Sequence, residues 1–189
     1  VLVMMGAHVI KVGLTPVLIN LMEEGVISGI AVNGACAIHD YELAYFGKTS
    51  ENVGEAIEDG SFGMARETGD FVNTAAERAE RNKLGFGESV GKIIFKEQPP
   101  GYSYSLFGRA YELKVPVTVH VAVGTDIVHQ HPSARGDAIG AASMRDFRIW
   151  SEVVSKIGNG GVVLLFGSSV IMPEVFLKAL TVARNIYGS

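Results

Sequence analysis

The run "VGTDIVHQHPS" (123–133) gathers Asp126, His129 and His131 within six residues, directly after the apolar segment "VPVTVHVAV" (115–123). Two imidazoles and a carboxylate so close together could ligate zinc or another divalent metal and support a metal-dependent hydrolase. They could also hydrogen-bond in the wall of a pocket where a strand opens onto a ligand. "DxxHxH" is short, and neither HExxH nor CxxC accompanies it, so the pocket wall is the preferred reading and no metal is assigned. His39 beside Asp40 has the makings of a general base oriented by a carboxylate; a polar helical turn in which Asp40 complements the helix dipole is the alternative. Cys36, the sole cysteine, is either a nucleophile or a small residue filling space. Glu174 and Lys178, four apart in the order that favours a helical ion pair, either face a ligand or pair on the surface. His120 lies inside its strand and reads as a core residue.

Something must position these groups. Four apolar runs read as strands buried on both faces: "VLVMM" (1–5), "VISGIAV" (26–32), "VPVTVHVAV" (115–123) and "GVVLLF" (161–166). Between them lie helical patterns. Thr15-Pro16 opens one, Ser50 is placed to cap "ENVGEAIED", and Met64, Thr68, Phe71, Ala75 and Ala79 share a face of a long one. Segments 103–113 and 137–157 also read as helical, and a last helix starts at Pro173. Alternating strands and helices predict an α/β fold, a Rossmann-like parallel sheet with helices on both faces. The whole chain, 1–189, reads as one domain with a helical insertion at about 50–113.

Bulk properties narrow the function. With 48% hydrophobic and 19% charged residues the composition is that of a globular domain able to bury a sizeable core. A net charge of −4 argues against nucleic acid or an anionic membrane as partner. No apolar run has the roughly 18–20 residues of a membrane span. "VLVMMGAHVI" reads as a strand rather than a signal peptide, and a lone cysteine fits a reducing cytoplasm. A start at Val1 inside a strand and a stop just after a helix predict a natural chain longer at both ends.

The strands run into "GAH" (6–8), "NGACAIHD" (33–40), "GTDIVHQHPS" (124–133) and "GSS" (167–169). Such small-residue turns let backbone approach a ligand and lead into helix amino termini. In open α/β sheets ligands bind outside the carboxyl ends of the strands. Four of the five histidines lie in these turns, so His8, His39, His129 and His131 are expected around one cleft. No GxGxxG, Walker A or GxSxG is present.

Laid in order, "KVGLTPVLINLMEEGVISGIAVNGACAIHDYELA" (11–44), "ELKVPVTVHVAVGTDIVHQHP" (112–132) and "GGVVLLFGSSVIMPEVFLKALTVARN" (160–185) resemble the deoxyhypusine synthase family. The resemblance implies an NAD-binding Rossmann-like core and a homo-oligomer, tetrameric in that family. It places Asn33, Gly34, Ala35, Gly124, Asp126, Gly167, Ser168 and Ser169 near NAD and Asp40 on the substrate side. Where the family carries its imine-forming lysine this chain has Met172, and a thioether cannot form an imine. The expectation is therefore an NAD-binding enzyme acting on a small amine or polar metabolite by other means. His39, Asp40, His129 and Lys178 are its candidate catalytic groups; His8, His131 and Glu174 are its candidate substrate contacts. A catalytically inactive regulatory or ligand-sensing subunit is the alternative that Met172 suggests.

Overall fold

The computed structural model describes residues 1–158 and 160–188. In chain order the elements are β1 (Leu2–Met5), α1 (His8–Lys11), α2 (Thr15–Glu23), β2 (Gly29–Asn33), α3 (Gly34–Phe46), α4 (Val53–Asp59), α5 (Arg66–Asn82), α6 (Phe86–Glu97), α7 (Leu106–Leu113), β3 (Val117–His120), α8 (Gly136–Ser155), β4 (Val163–Phe166) and α9 (Ile171–Tyr187). The strands form one parallel sheet in the order β3-β2-β1-β4, with Val3 paired to Ile30 and to Leu164, and Ala31 to Thr118. This is the α/β, Rossmann-like architecture expected, and its order matches the first four strands of a doubly wound dinucleotide-binding sheet.

Alternation along the strands builds two cores. Val3, Met5, Ile30, Val32, Val117 and Val119 face the layer made by α1–α3 and α5–α7, whereas Leu2, Met4 and Ala31 pack with Trp150, Met172, Ala179 and Ala183 of α8 and α9. Both faces are apolar, which is why the strands show no polar alternation in sequence. Local chemistry shifts several helix boundaries. α7 starts at Leu106 because the Ser105 hydroxyl accepts from the Gly108 amide. Ser50 does not cap α4; Asn52 occupies that position, and Ser50 has φ +80°. Pro173 falls inside the first turn of α9, where a missing amide hydrogen costs nothing.

The two outer strands are finished differently. On β3, α8 supplies the missing partner: the Val119 amide donates to Asp146 (2.7 Å), the Val121 amide to Ser143 (3.0 Å), and the Ser143 hydroxyl to the Val119 carbonyl (2.9 Å). β4 has no such seal among the described residues, and Leu164, Leu165 and Phe166 are each about two-fifths exposed.

Candidate functional site

At the carboxyl edge a cavity of about 440 Å³ opens between α1, α3, the 47–52 turn, α5 and the loop after β3. His39, Glu42, Thr49 and Asp126 all line it, with Lys11, Lys48, Glu51 and Glu67 around them. Four carboxylates against two ammonium groups make it acidic, suited to a cationic or polar ligand.

His39 and Glu42 sit one turn apart on α3, and the 47–52 turn folds back over them. His39 Nδ1 lies 2.6 Å from the Thr49 hydroxyl, which hydrogen-bonds Glu42; Thr68 of α5 donates to the other Glu42 oxygen at 3.0 Å. Burial lowers the His39 pKa, with Glu42 (3.9 Å) pulling the other way and Lys11 and His8 adding to the lowering. The ring is therefore neutral at pH 7, as a base must be.

Asp126 closes the far wall. Its carboxylate is so near the start of α3 that a Cβ on Gly34 would lie 2.0 Å from Oδ2, and burial raises its pKa against the opposing pull of His129 and the Ala35 amide. His129 serves this loop. Its Nδ1 accepts the amides of Gly124 (3.1 Å) and Asp126 (3.2 Å), and its Nε2 faces Asp126 at 3.8 Å. With Nδ1 holding backbone, His129 braces Asp126 and has no free lone pair for a proton.

Other expected residues fall elsewhere. His131 is buried beneath Gly69, its Nε2 2.7 Å from the Gly63 carbonyl, so it does not reach a ligand. Among the described residues no three His, Cys, Asp or Glu side chains come together as metal ligands would, which removes the cage needed by the hydrolase reading. Asp40 is 1% exposed and caps α7, accepting from Ser105 Oγ (2.6 Å) and the Leu106 (2.7 Å) and Phe107 (3.3 Å) amides. Its role is structural, and burial outweighs those bonds to raise its pKa to about 6. Lys178 pairs with Glu174 on the exposed face of α9, so neither meets the cavity. His8 is exposed at the start of α1, close enough to be felt by His39. Cys36 is fully buried, bonds the Asn33 side chain at 3.3 Å, and has its thiol pKa raised well above the ordinary value by burial, which makes it inert. His120 is a core residue bonded to Thr118 (2.9 Å), its pKa lowered by burial to about 4.

The β4 turn stands apart. Gly167 and Ser169 are exposed and Ser168 accepts the Met172 amide at 3.2 Å; none of the three lines the cavity. The turn touches β1 instead, since a Cβ on Gly6 would lie 2.2 Å from the Gly167 carbonyl. The turns after β2 and β3 thus converge on the cavity, α1 reaches it at Lys11, and the β4 turn lies against Gly6. A second cavity, about 500 Å³, lies at the amino end of β3. It is walled by Phe95, Phe107, Val115 and Ile149, with Glu88, Tyr111, Glu112 and Lys114 also on its lining; Asp146 Oδ2 there accepts the Gly87 and Val119 amides, while its Oδ1 has no hydrogen-bond partner among the described residues.

No family profile matches the chain, and no curated protein matches it. Among solved structures the chain superposes on a conserved LOR/SDH protein from Methanococcus maripaludis S2 with TM-score 0.50 and 15% identity, over 97% of this chain and 54% of that one. It also superposes on apo ArgZ, an arginine dihydrolase from the ornithine–ammonia cycle in cyanobacteria, with TM-score 0.49 and 18% identity, over 96% and 22%. The deoxyhypusine synthase resemblance does not hold. The structures this chain is similar to are of other kinds, and at these identities the likeness is one of fold. The chain spans about half the length of the LOR/SDH protein. Met172 accordingly replaces no lysine; it is a fully buried residue of the α8–α9 core. Each of the three stretches that suggested the resemblance carries one strand of the parallel sheet and the turn that follows it.

Glu42, Thr49 and Thr68 escaped the sequence reading. The spacing of His39 and Glu42, one helical turn apart, was visible, but Thr49 and Thr68 join them only through the fold. No helix of the described residues is long and apolar enough to cross a membrane.

Proposed function

We propose that this protein is an enzyme that binds a nicotinamide dinucleotide at the carboxyl edge of its sheet and uses His39 for proton transfer on a small amine or other polar metabolite. The observation that carries this is a single acidic cavity holding a neutral histidine and a buried carboxylate beside the amino end of α3. Asn33, Gly34 and Ala35 form that end; Asp126 is the acceptor a ribose hydroxyl would use; the exposed Gly167 turn, with φ above zero, offers backbone to phosphates, while the Gly124 turn, its amide held by His129, supports Asp126. A bound nicotinamide ring would supply a hydride acceptor or donor. The chain's own part is to orient substrate by its acidic walls and to take or return a proton at His39. Sharing a fold with a LOR/SDH protein is compatible with this reading. A homo-oligomer paired along the bare β4 edge belongs to the same proposal.

Dinucleotide binding by calorimetry, followed by a screen of small amines for NAD-dependent absorbance change, tests it. His39→Gln is expected to lower turnover roughly 10²–10⁴-fold while leaving dinucleotide affinity unchanged. Undiminished turnover refutes the role of His39, and no affinity for NAD refutes the cofactor.

A further inference from the structure

Resting on that reading of His39, we infer that Thr49 and Glu42 are positioning residues that fix the histidine's tautomer and leave Nε2 as its reactive atom. The argument is proton counting. A threonine hydroxyl has one hydrogen to give. Glu42, a carboxylate, offers only acceptors, and it also receives the Thr68 hydroxyl at 3.0 Å. The Thr49 hydrogen therefore goes to Glu42, and the Thr49 oxygen must accept across the 2.6 Å separation from His39. That bond requires a hydrogen on Nδ1, which leaves the lone pair of the neutral ring on Nε2. The opposite arrangement would set hydroxyl and carboxylate oxygens face to face with no hydrogen between them. When Nε2 takes a proton, Glu42 at 3.9 Å and the polarised hydroxyl bridge stabilise the imidazolium that forms.

The backbone supports a built device. Thr49 lies ten residues from His39, on a turn that leaves α3 at Gly47 (φ +66°) and returns through Ser50 (φ +80°). A non-glycine residue in the left-handed region is strained, and such strain persists where surroundings enforce it. Here it brings one hydroxyl between a base and an acid. Around His39 the charged and titratable groups are Glu42 on its own helix, His8 and Lys11 from α1, Lys48 and Glu51 from the turn region, Glu67 from α5 and Asp126 from the loop after β3. Among these, Glu42 is tied to the ring through a shared hydroxyl.

Long-range proton–nitrogen NMR of the histidine rings in the intact protein, titrated through neutral pH, reads the tautomer without any substrate. The expected result is His39 protonated on Nδ1 and bare on Nε2. Thr49→Val should shift the ring toward the Nε2–H form, and Thr49→Ser should restore it. Should Thr49→Val fail to fold, Glu42→Gln provides the second arm, with the His39 pKa falling. In turnover, Thr49→Val is expected to lower kcat roughly tenfold with KM little changed, part of the 10²–10⁴ that the base itself contributes. An Nε2–H tautomer in the unmodified protein overturns the inference, as does a ring indifferent to both substitutions. If the tautomer behaves as expected but no amine is turned over, the bridge stands and the enzymatic reading falls.

Discussion

The β3 and β4 sides of the sheet are built to opposite ends. β3 is an outer strand whose free amides and carbonyl are taken by Asp146 and Ser143 of α8, and its carboxyl end delivers Asp126 into the acidic cavity. β4 is an outer strand of bare apolar residues whose carboxyl turn lies outside that cavity. An unsealed edge without lysine, proline or bulge is a template for another strand. The contrast teaches that chemistry gathers where the chain finishes its own sheet, because a reactive constellation needs walls held from every side. The β4 side has no such walls among the described residues.

The sharpest way to break this contrast is kinetic. His39→Gln, on the β3 side, should remove roughly 10²–10⁴ of turnover. Ser169→Ala, on the β4 turn, should weaken dinucleotide affinity a few-fold and leave kcat untouched. Equal losses in kcat would mean the two sides share one site.

Next in size is the seal itself. Asp146→Ala strands the Gly87 and Val119 amides in the core and should cost about 3 kcal/mol in chemical denaturation, at roughly 1–3 kcal/mol for each buried donor left unpaired. A loss below about 1 kcal/mol would show that β3 does not need its seal.

The pH dependence of stability sharpens the same point. Burial raises Asp146 to about 7 and Asp40 to about 6, both from 3.8. A carboxyl raised on folding contributes stability that is fully present below its unfolded pKa and is lost as pH rises through the folded one. His120, lowered from 6.5 to about 4, works in reverse: its contribution is present above 6.5 and is lost as pH falls toward 4. Melting temperature should therefore rise by a few degrees as pH falls from about 7 toward 4.5, the two carboxyls outweighing the opposing histidine over that range. Asp146→Asn should flatten most of that rise. A melting curve that falls steadily over this interval counts against the buried carboxyls.

Smallest in stability is Leu165→Lys on β4, expected to change folding free energy by less than about 0.5 kcal/mol because the side chain already meets solvent. Light scattering should nevertheless show less self-association. If association is unchanged, the edge is not a pairing surface.

How much of this was legible beforehand differs by level. All four strands are apolar runs short enough for a buried sheet, and each was placed within a few residues. Most helices were placed nearly as well, failing at ends where a side-chain cap or a strained Ser50 decides the boundary, but α6 (Phe86–Glu97) was missed outright. Individual residues were harder. Asp40 beside His39 looks like a catalytic pair in sequence, yet on a helix adjacent residues point about 100° apart, and Asp40 turned inward to cap α7. Glu42, one turn from His39, was the true neighbour. His129 and His131, two apart across a tight turn, separate into a brace for Asp126 and a buried contact to Gly63.

The amino-acid sequence alone determined the class of fold, because strand and helix periods and small-residue turns are local properties of the chain. It also determined that titratable groups would cluster where strands end. Which of them meet was decided by tertiary structure. The His39–Thr49–Glu42 bridge, the sealing of β3 and the burial of Asp40 and Asp146 each join residues from separate elements, and no local pattern encodes such distances. Burial of that kind also decides which groups can ionise, since desolvation depends on everything packed around a side chain and not on its neighbours in sequence.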